Sequence, residues 1–104
     1  MSSPFIATLF QNKLIRNNYV EWKLDLDKLL IVEELKYVLI FSYPPIPNYE
    51  TPTISADQYW QWLKDDEKAC CYILDSMSDM LKHQHQSFNI ASAIMLNLKD
   101  MFRD

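Results

Sequence analysis

This 104-residue chain contains no glycine, which limits the kinds of fold and binding loop that it can form. Glycine reaches positive φ without steric cost, so tight hairpin turns and phosphate-binding loops depend on it. A chain without glycine is therefore a poor candidate for a hairpin-rich sheet, a P-loop or a Rossmann fingerprint.

The length and composition indicate one folded domain. A chain of 104 residues is long enough to bury one core and too short for two, and 49% hydrophobic with 23% charged residues is typical of a globular protein. We predict a single helical domain over residues 1–104, in which residues 1–13 form an N-terminal arm or a short amphipathic turn.

Charge and apolar content argue against nucleic-acid and membrane partners. The net charge is −4 and the ten basic residues are scattered, whereas phosphate binding needs clustered Lys and Arg. The longest apolar run, Tyr37 to Phe41, is too short to span a membrane, and no signal peptide is recognised. The two cysteines, Cys70 and Cys71, are adjacent, so no disulfide framework is expected and a reducing compartment fits.

The apolar spacing predicts about five helices. Asn17 and Asn18 are placed to cap the first of these, which begins at Tyr19, because their short polar side chains accept hydrogen bonds from free amides. The next run, residues 35–41, suits a buried helix or a strand, and the acidic pair Glu33–Glu34 before it favours a helix. The apolar residues of the first helix recur at steps of three and four, with charged residues mostly on the other side: Tyr19, Trp22, Leu26, Leu29 and Leu30.

Four prolines make residues 43–52 a loop, because proline lacks an amide donor and fixes φ. The loop is interpreted as a stiff connector, with a partner-facing segment as the alternative. After it, Ser55 and Gln58 match a capping box, which begins the clearest helix.

The helix after the capping box is expected to end near residues 76–78. Asp66 falls within its apolar stripe, where it is expected to lie at the edge or to pair with Lys36 or Lys64. The stripe contains Tyr59, Trp62, Leu63, Ala69, Cys70, Ile73, Leu74 and Met77.

Two shorter helices complete the prediction. One covers residues 79–86 and places Met80 and Leu81 inward. Ser87 or Asn89 caps the last helix. Its apolar stripe contains Ile90, Ile94, Leu98, Met101 and Phe102.

The residues able to support metal or nucleophilic chemistry are poorly arranged for it. Cys70, Cys71, His83 and His85 lack the paired spacing of a zinc site, and adjacent cysteines on a helix point about 100° apart. A Cys–His nucleophile also needs an oxyanion hole, for which no motif is present. We therefore predict no catalytic residue, no metal and no cofactor.

Trp60 and Trp62 lie two positions apart on a predicted helix and so point about 200° apart. One of them is expected at the surface, and exposed aromatic side chains are enriched at protein interfaces. The candidate interface consists of Trp60 with Tyr43, Pro44 and Pro45 of the proline-rich loop.

The run from Leu14 to Trp22 resembles the opening signature of Gag polyproteins of copia-type LTR retrotransposons. In that family a leucine precedes a glycine-containing turn, which is followed by Asn-Tyr, two variable residues and Trp. Leu14, Asn18, Tyr19 and Trp22 match, whereas Arg16 stands where the family usually has glycine, which leaves the geometry of that turn open.

Later blocks continue the resemblance in the same order along the chain. They are residues 22–30 and 34–39, Pro44–Pro45, Trp62, residues 65–67, Ala69, Ile73–Leu74, residues 76–78 and 93–95, Leu98 and Met101–Phe102. The resemblance therefore covers nearly all of the chain from Leu14 onward.

The resemblance implies a fold and a function. The fold is an all-α, compact orthogonal bundle with a proline-rich loop, similar to a retroviral-type capsid N-terminal domain. The chain would self-associate as a homo-oligomer in cytoplasmic virus-like particles, without enzymatic activity, and a downstream region would bind the RNA. The alternative is a monomeric, host-recruited adaptor that binds a peptide or protein in a hydrophobic groove near residues 43–52 or Trp60.

Overall fold

Six helices make up the regular structure of the computed structural model, which describes residues 4–41 and 56–102. The helices are α1 (Pro4–Gln11), α2 (Tyr19–Val32), α3 (Tyr37–Ile40), α4 (Ala56–Asp75), α5 (Asp79–His85) and α6 (Ala91–Phe102). Within these ranges, the β-type pairing is an isolated parallel bridge between Leu14 and Met77. The prediction of an all-α fold is thus confirmed for the described residues.

Helix α2 carries the largest part of the core. All five of its predicted apolar residues are buried, so this prediction is confirmed. Helix α1 packs against α2 and buries Leu9, which shows that the N-terminal stretch is a helix of the domain. The buried side chains form one cluster with those of α4 and α6: Leu9, Leu14, Tyr19, Trp22, Leu26, Leu29, Leu30, Leu35, Val38, Trp62, Ala69, Ile73, Met77, Leu81, Ala91, Ile94 and Leu98.

The turn after α2 corrects the prediction for Glu33 and Glu34. These residues end α2 instead of starting the next helix, and α3 is a single turn. The Leu35 amide donates to the Leu30 carbonyl (2.8 Å) and the Glu34 amide to the Ile31 carbonyl (3.1 Å), the pattern of a Schellman motif. Glu34 has φ 60°, the left-handed conformation that glycine adopts most easily. A chain without glycine places a glutamate there.

Two methionines expected in the core are exposed. Helix α5 has seven residues and buries Leu81 and His85, which are four positions apart, so Met80 falls off that face and is 71% exposed. At the end of α6, Phe102 stacks on Tyr19 with ring centroids 5.2 Å apart, while Met101 points away. Each helix buries one face, and each methionine lies one residue from it.

The predicted helix caps were only partly right. Ser55 and residues 42–54 lie outside the described residues, although α4 begins at Ala56 as the capping box requires. Asn18 precedes α2, but its side chain does not bond to the α2 amides. Helix α5 begins after Ser78, whose hydroxyl accepts a hydrogen bond from the Leu81 amide (3.4 Å).

Candidate functional site

A buried polar junction joins the start of α2 to the end of α4. The Leu14 amide donates to the Ser76 carbonyl (2.8 Å), and the Ser78 amide donates to the Leu14 carbonyl (2.8 Å). The Trp22 indole Nε1 donates to the Ser76 carbonyl (3.0 Å) and lies 3.1 Å from its Oγ. We call this set the Leu14–Ser76 junction. Its polar groups are paired inside the core, as buried polar groups must be.

Asn18 fixes the turn that leads into this junction. Its Oδ1 accepts from the Ile15 amide (3.0 Å), and its Nδ2 donates to the Lys13 carbonyl (2.9 Å). Among residues 4–41 and 56–102, Glu34 is the position with positive φ, so Arg16 does not occupy a left-handed conformation. The turn therefore does not need the glycine that stands in the family signature.

The two tryptophans of α4 have opposite environments, as their spacing predicts. Trp62 is 2% exposed, and its Nε1 donates to the Phe41 carbonyl (2.8 Å). Trp60 is 64% exposed and contacts Tyr59 edge to face, with ring centroids 5.3 Å apart. The other members of the candidate interface, Tyr43, Pro44 and Pro45, lie outside the described residues.

The side of α2 opposite the core, which was predicted to be charged, contains exposed apolar residues. Val20, Leu24 and Ile31 are 58%, 56% and 58% exposed. We call them the outer stripe. At about 100° per residue they fall within about 40° of one another, pointing away from the buried face. The signal in the sequence was their spacing of four and seven residues, which the stronger core stripe obscured.

Asp66 is a buried carboxylate whose predicted role was wrong. It forms no ion pair with Lys36 or Lys64 and instead accepts a hydrogen bond from the Ala91 amide (3.1 Å). Burial raises the pKa of Asp66, and the bond from Ala91 partly opposes this. Asp66 thus supplies the first amide of α6 with an acceptor, the role predicted for Ser87 or Asn89.

A groove of about 640 Å³ lies between α4 and the segment that joins α5 to α6. Its apolar walls include Trp62, Leu63, Leu74, Phe88 and Ile90. Cys70 lines it as well, and burial together with the nearby Asp66 charge raises the pKa of its thiol to about 12. That thiol is therefore protonated at neutral pH and is a poor nucleophile.

His85 is part of the core and both of its ring nitrogens are engaged. Nδ1 lies 2.8 Å from the Leu81 carbonyl and Nε2 lies 2.8 Å from the Asn97 amide nitrogen. Because a carbonyl oxygen only accepts, Nδ1 is the ring nitrogen that donates to Leu81. In residues 4–41 and 56–102, no group of three or more His, Cys, Asp and Glu side chains is arranged to hold a metal ion.

No family model, curated protein or solved structure matches the chain in comparisons with known proteins. Within the part of the chain that the structure describes, no helix combines the length and the apolar character needed to cross a bilayer.

Proposed function

We propose that the chain is the N-terminal capsid lobe of a copia-type Gag protein, or of a domesticated derivative, and that it acts by self-association without catalysis. The observation that carries the proposal is the exposed indole of Trp60. Burying a tryptophan against another protein removes a large apolar area from water, and such residues dominate binding energy at interfaces.

The junction between α2 and α4 supports the resemblance on which this proposal rests. Leu14 and Trp22 belong to the opening signature, and Ser76 and Ser78 belong to a block more than fifty residues later. In the fold these two blocks meet through the hydrogen bonds of the Leu14–Ser76 junction. Leu14 and Trp22 of the opening signature are therefore in contact with Ser76 and Ser78 of the later block.

A capsid role fits weak contacts repeated many times. Many copies of one modest surface give a stable closed shell, because each added contact is made within an assembly that is already held together. On this proposal the orthogonal-bundle fold is that of a capsid domain and the particles are cytoplasmic. RNA is then bound by a region other than this acidic lobe.

Sedimentation velocity over roughly 10 μM to 1 mM tests the proposal, since single weak contacts fall in that range. The wild-type mass should rise with concentration, and Trp60→Ala should weaken that rise. Met80→Ala is the control, because it removes another exposed apolar side chain on a different helix. A wild-type chain that stays monomeric throughout contradicts the proposal.

The groove beside α4 favours a second candidate, a monomeric adaptor that binds a peptide. Its volume and apolar walls suit an amphipathic peptide segment. Trp60→Ala, with a groove variant such as Leu74→Glu, separates the two functions. In a capsid lobe Trp60→Ala weakens the rise of mass with concentration, whereas an adaptor is monomeric from the start and loses its partner with the groove variant.

A further inference from the structure

We infer, on the basis that the chain self-associates as proposed above, that the outer stripe of α2 binds the outer stripe of a second copy in an antiparallel, two-fold symmetric pair. Val20, Leu24 and Ile31 form the apolar centre of this contact. The partner is a second copy of this chain, chosen by the apolar and charged pattern of the helix itself.

The outer stripe differs from single exposed apolar residues because its three members lie on one side of the same helix, with Asp27 and Lys28 in the turn between Leu24 and Ile31. Its three side chains span three turns of α2, and more than half of each side chain is exposed. Single exposed apolar residues are normal on a protein surface, but an amphipathic helix has one apolar stripe and α2 has two. The second stripe has the spacing of a helix that packs against another helix.

The antiparallel alignment is set by the order of residues. Placing Val20 of one copy opposite Ile31 of the other brings the two Leu24 side chains together beside the two-fold axis. In a helix with a rise of about 1.5 Å per residue, Leu24 then lies within about 3 Å of that axis along the helix. In a parallel pair the flank of Glu21 and Lys28 would instead face the opposite flank of the second copy. Exchanging the charges of Glu21 and Lys28 therefore distinguishes the two alignments.

The charges beside the stripe are complementary in this alignment. Glu21 and Lys28 are exposed on the same flank of the stripe. In the antiparallel pair, Glu21 of each copy faces Lys28 of the other, which gives two equivalent ion pairs. On the opposite flank, Asp27 is placed near Lys23 of the second copy, so the acidic residue at the edge of the stripe gains a partner.

The contact is small, as an assembly contact is expected to be. Three side chains and their flanking charges from one helix bury less than the roughly 1,200 Å² of a stable specific complex. The pair is therefore expected at high concentration, and its two-fold symmetry stops it at a dimer. The Trp60 surface lies on another helix, so a chain that uses both surfaces can grow beyond two copies.

Charge reversal tests the alignment directly, and sedimentation equilibrium of the whole chain measures the dimer Kd. Glu21→Lys and Lys28→Glu should each raise the dimer Kd by roughly tenfold at low salt, since each places like charges opposite one another twice per dimer. The double variant Glu21→Lys/Lys28→Glu should restore the wild-type Kd to within about twofold. In a chain that also carries Trp60→Ala, Leu24→Lys should leave the protein monomeric at 1 mM, where roughly millimolar contacts are still detected.

Control measurements distinguish a loss of the α2 contact from a loss of the fold and from a failure of the proposed function. All three altered residues are exposed, so the Tm in dilute solution should shift by no more than a few degrees. Trp60→Ala should keep the dimer. If the wild type associates and neither Leu24→Lys nor the reversals change its Kd, the surface is wrong and self-association stands. If the wild type is monomeric at every concentration, the proposed function fails and this inference fails with it.

Discussion

Helix α2 carries two apolar faces, and Leu26 and Leu24 represent them. Leu26 is fully buried in the cluster that α2 shares with the other helices, whereas Leu24 is 56% exposed. The two residues are of the same type and two positions apart on one helix. Their difference shows that apolar character alone does not distinguish a residue that holds the fold from one available to a partner.

The two faces also differ in what accompanies the apolar side chains. The inner face includes Trp22, whose indole is tied to Ser76 at the end of α4. The outer face is bordered by exposed Glu21 and Lys28 and makes no comparable link among the described residues. Satisfied polar groups thus mark the face that specifies the fold, and solvated charges mark the other.

The largest difference in stability is expected between alanine variants of the two leucines. Leu26→Ala should cost about 2–5 kcal/mol of unfolding free energy, because it leaves a cavity in the core. Leu24→Ala should stay within about 0.5 kcal/mol, since an exposed side chain loses little packing. Urea unfolding in dilute solution measures both, and equal losses would contradict the division of α2 into two faces.

Variants of Asp66 test how much a buried hydrogen bond outside the Leu14–Ser76 junction contributes to the free energy of unfolding. Asp66→Ala should cost about 1–3 kcal/mol, because the Ala91 amide is left without its acceptor. Asp66→Asn keeps an acceptor and should be at least as stable as the wild type at pH 7.

The pH dependence of Asp66 has a definite sign. Burial raises its pKa in the folded chain, so the protonated form is favoured by folding. Its contribution to stability is full below the unfolded pKa of aspartate and is lost as the pH rises through the folded pKa. The stability advantage of Asp66→Asn should therefore shrink between pH 7 and about pH 4. An advantage that is constant with pH would count against a raised pKa.

The Leu14–Ser76 junction should show a smaller effect. Ser76→Ala removes the Oγ near Trp22 but leaves the Ser76 carbonyl as acceptor, so a loss of about 1 kcal/mol is expected. Ser87→Ala, at an exposed position, is the matched control and should change stability by less than about 0.5 kcal/mol. A loss no larger than that of the control would show that the junction rests on the backbone bonds alone.

A change of similar size and opposite sign is expected at the turn that closes α2, which lies outside both apolar faces. Glu34→Gly should stabilise the chain by about 1 kcal/mol, because glycine adopts the left-handed conformation at lower cost. Glu33→Gly is the control, and it should destabilise, since Glu33 has φ −83°. Chemical denaturation of both variants checks the difference.

The sequence predicted what periodicity can reveal and missed what depends on long-range contacts. The core stripe of α2 and the opposite exposures of Trp60 and Trp62 follow from helical spacing and were correct. The bond between Asp66 and Ala91 joins residues 25 positions apart, so local pattern could not reveal it.

Helical spacing predicted one of the two candidate surfaces and missed the other. Trp60 was placed at the surface by its spacing from Trp62, whereas the outer stripe was missed because the core stripe dominated the pattern of α2. A helix with two stripes has little overall amphipathic character, and only its packing in three dimensions shows which stripe is covered. The self-association role of either surface stays a prediction until it is measured.

The Leu14–Ser76 junction has a consequence for how the chain folds. Its hydrogen bonds link residues about sixty positions apart, so they form only after a long loop has closed. During synthesis, α1 and α2 emerge well before the segment that secures them. Until residues 76–78 are synthesised, Trp22 lacks its acceptor, and α1 is the earlier helix that can cover the inner face of α2. The nascent chain therefore exposes the most apolar surface at this stage. Its tendency to associate decreases once Ser76 is synthesised and the junction forms.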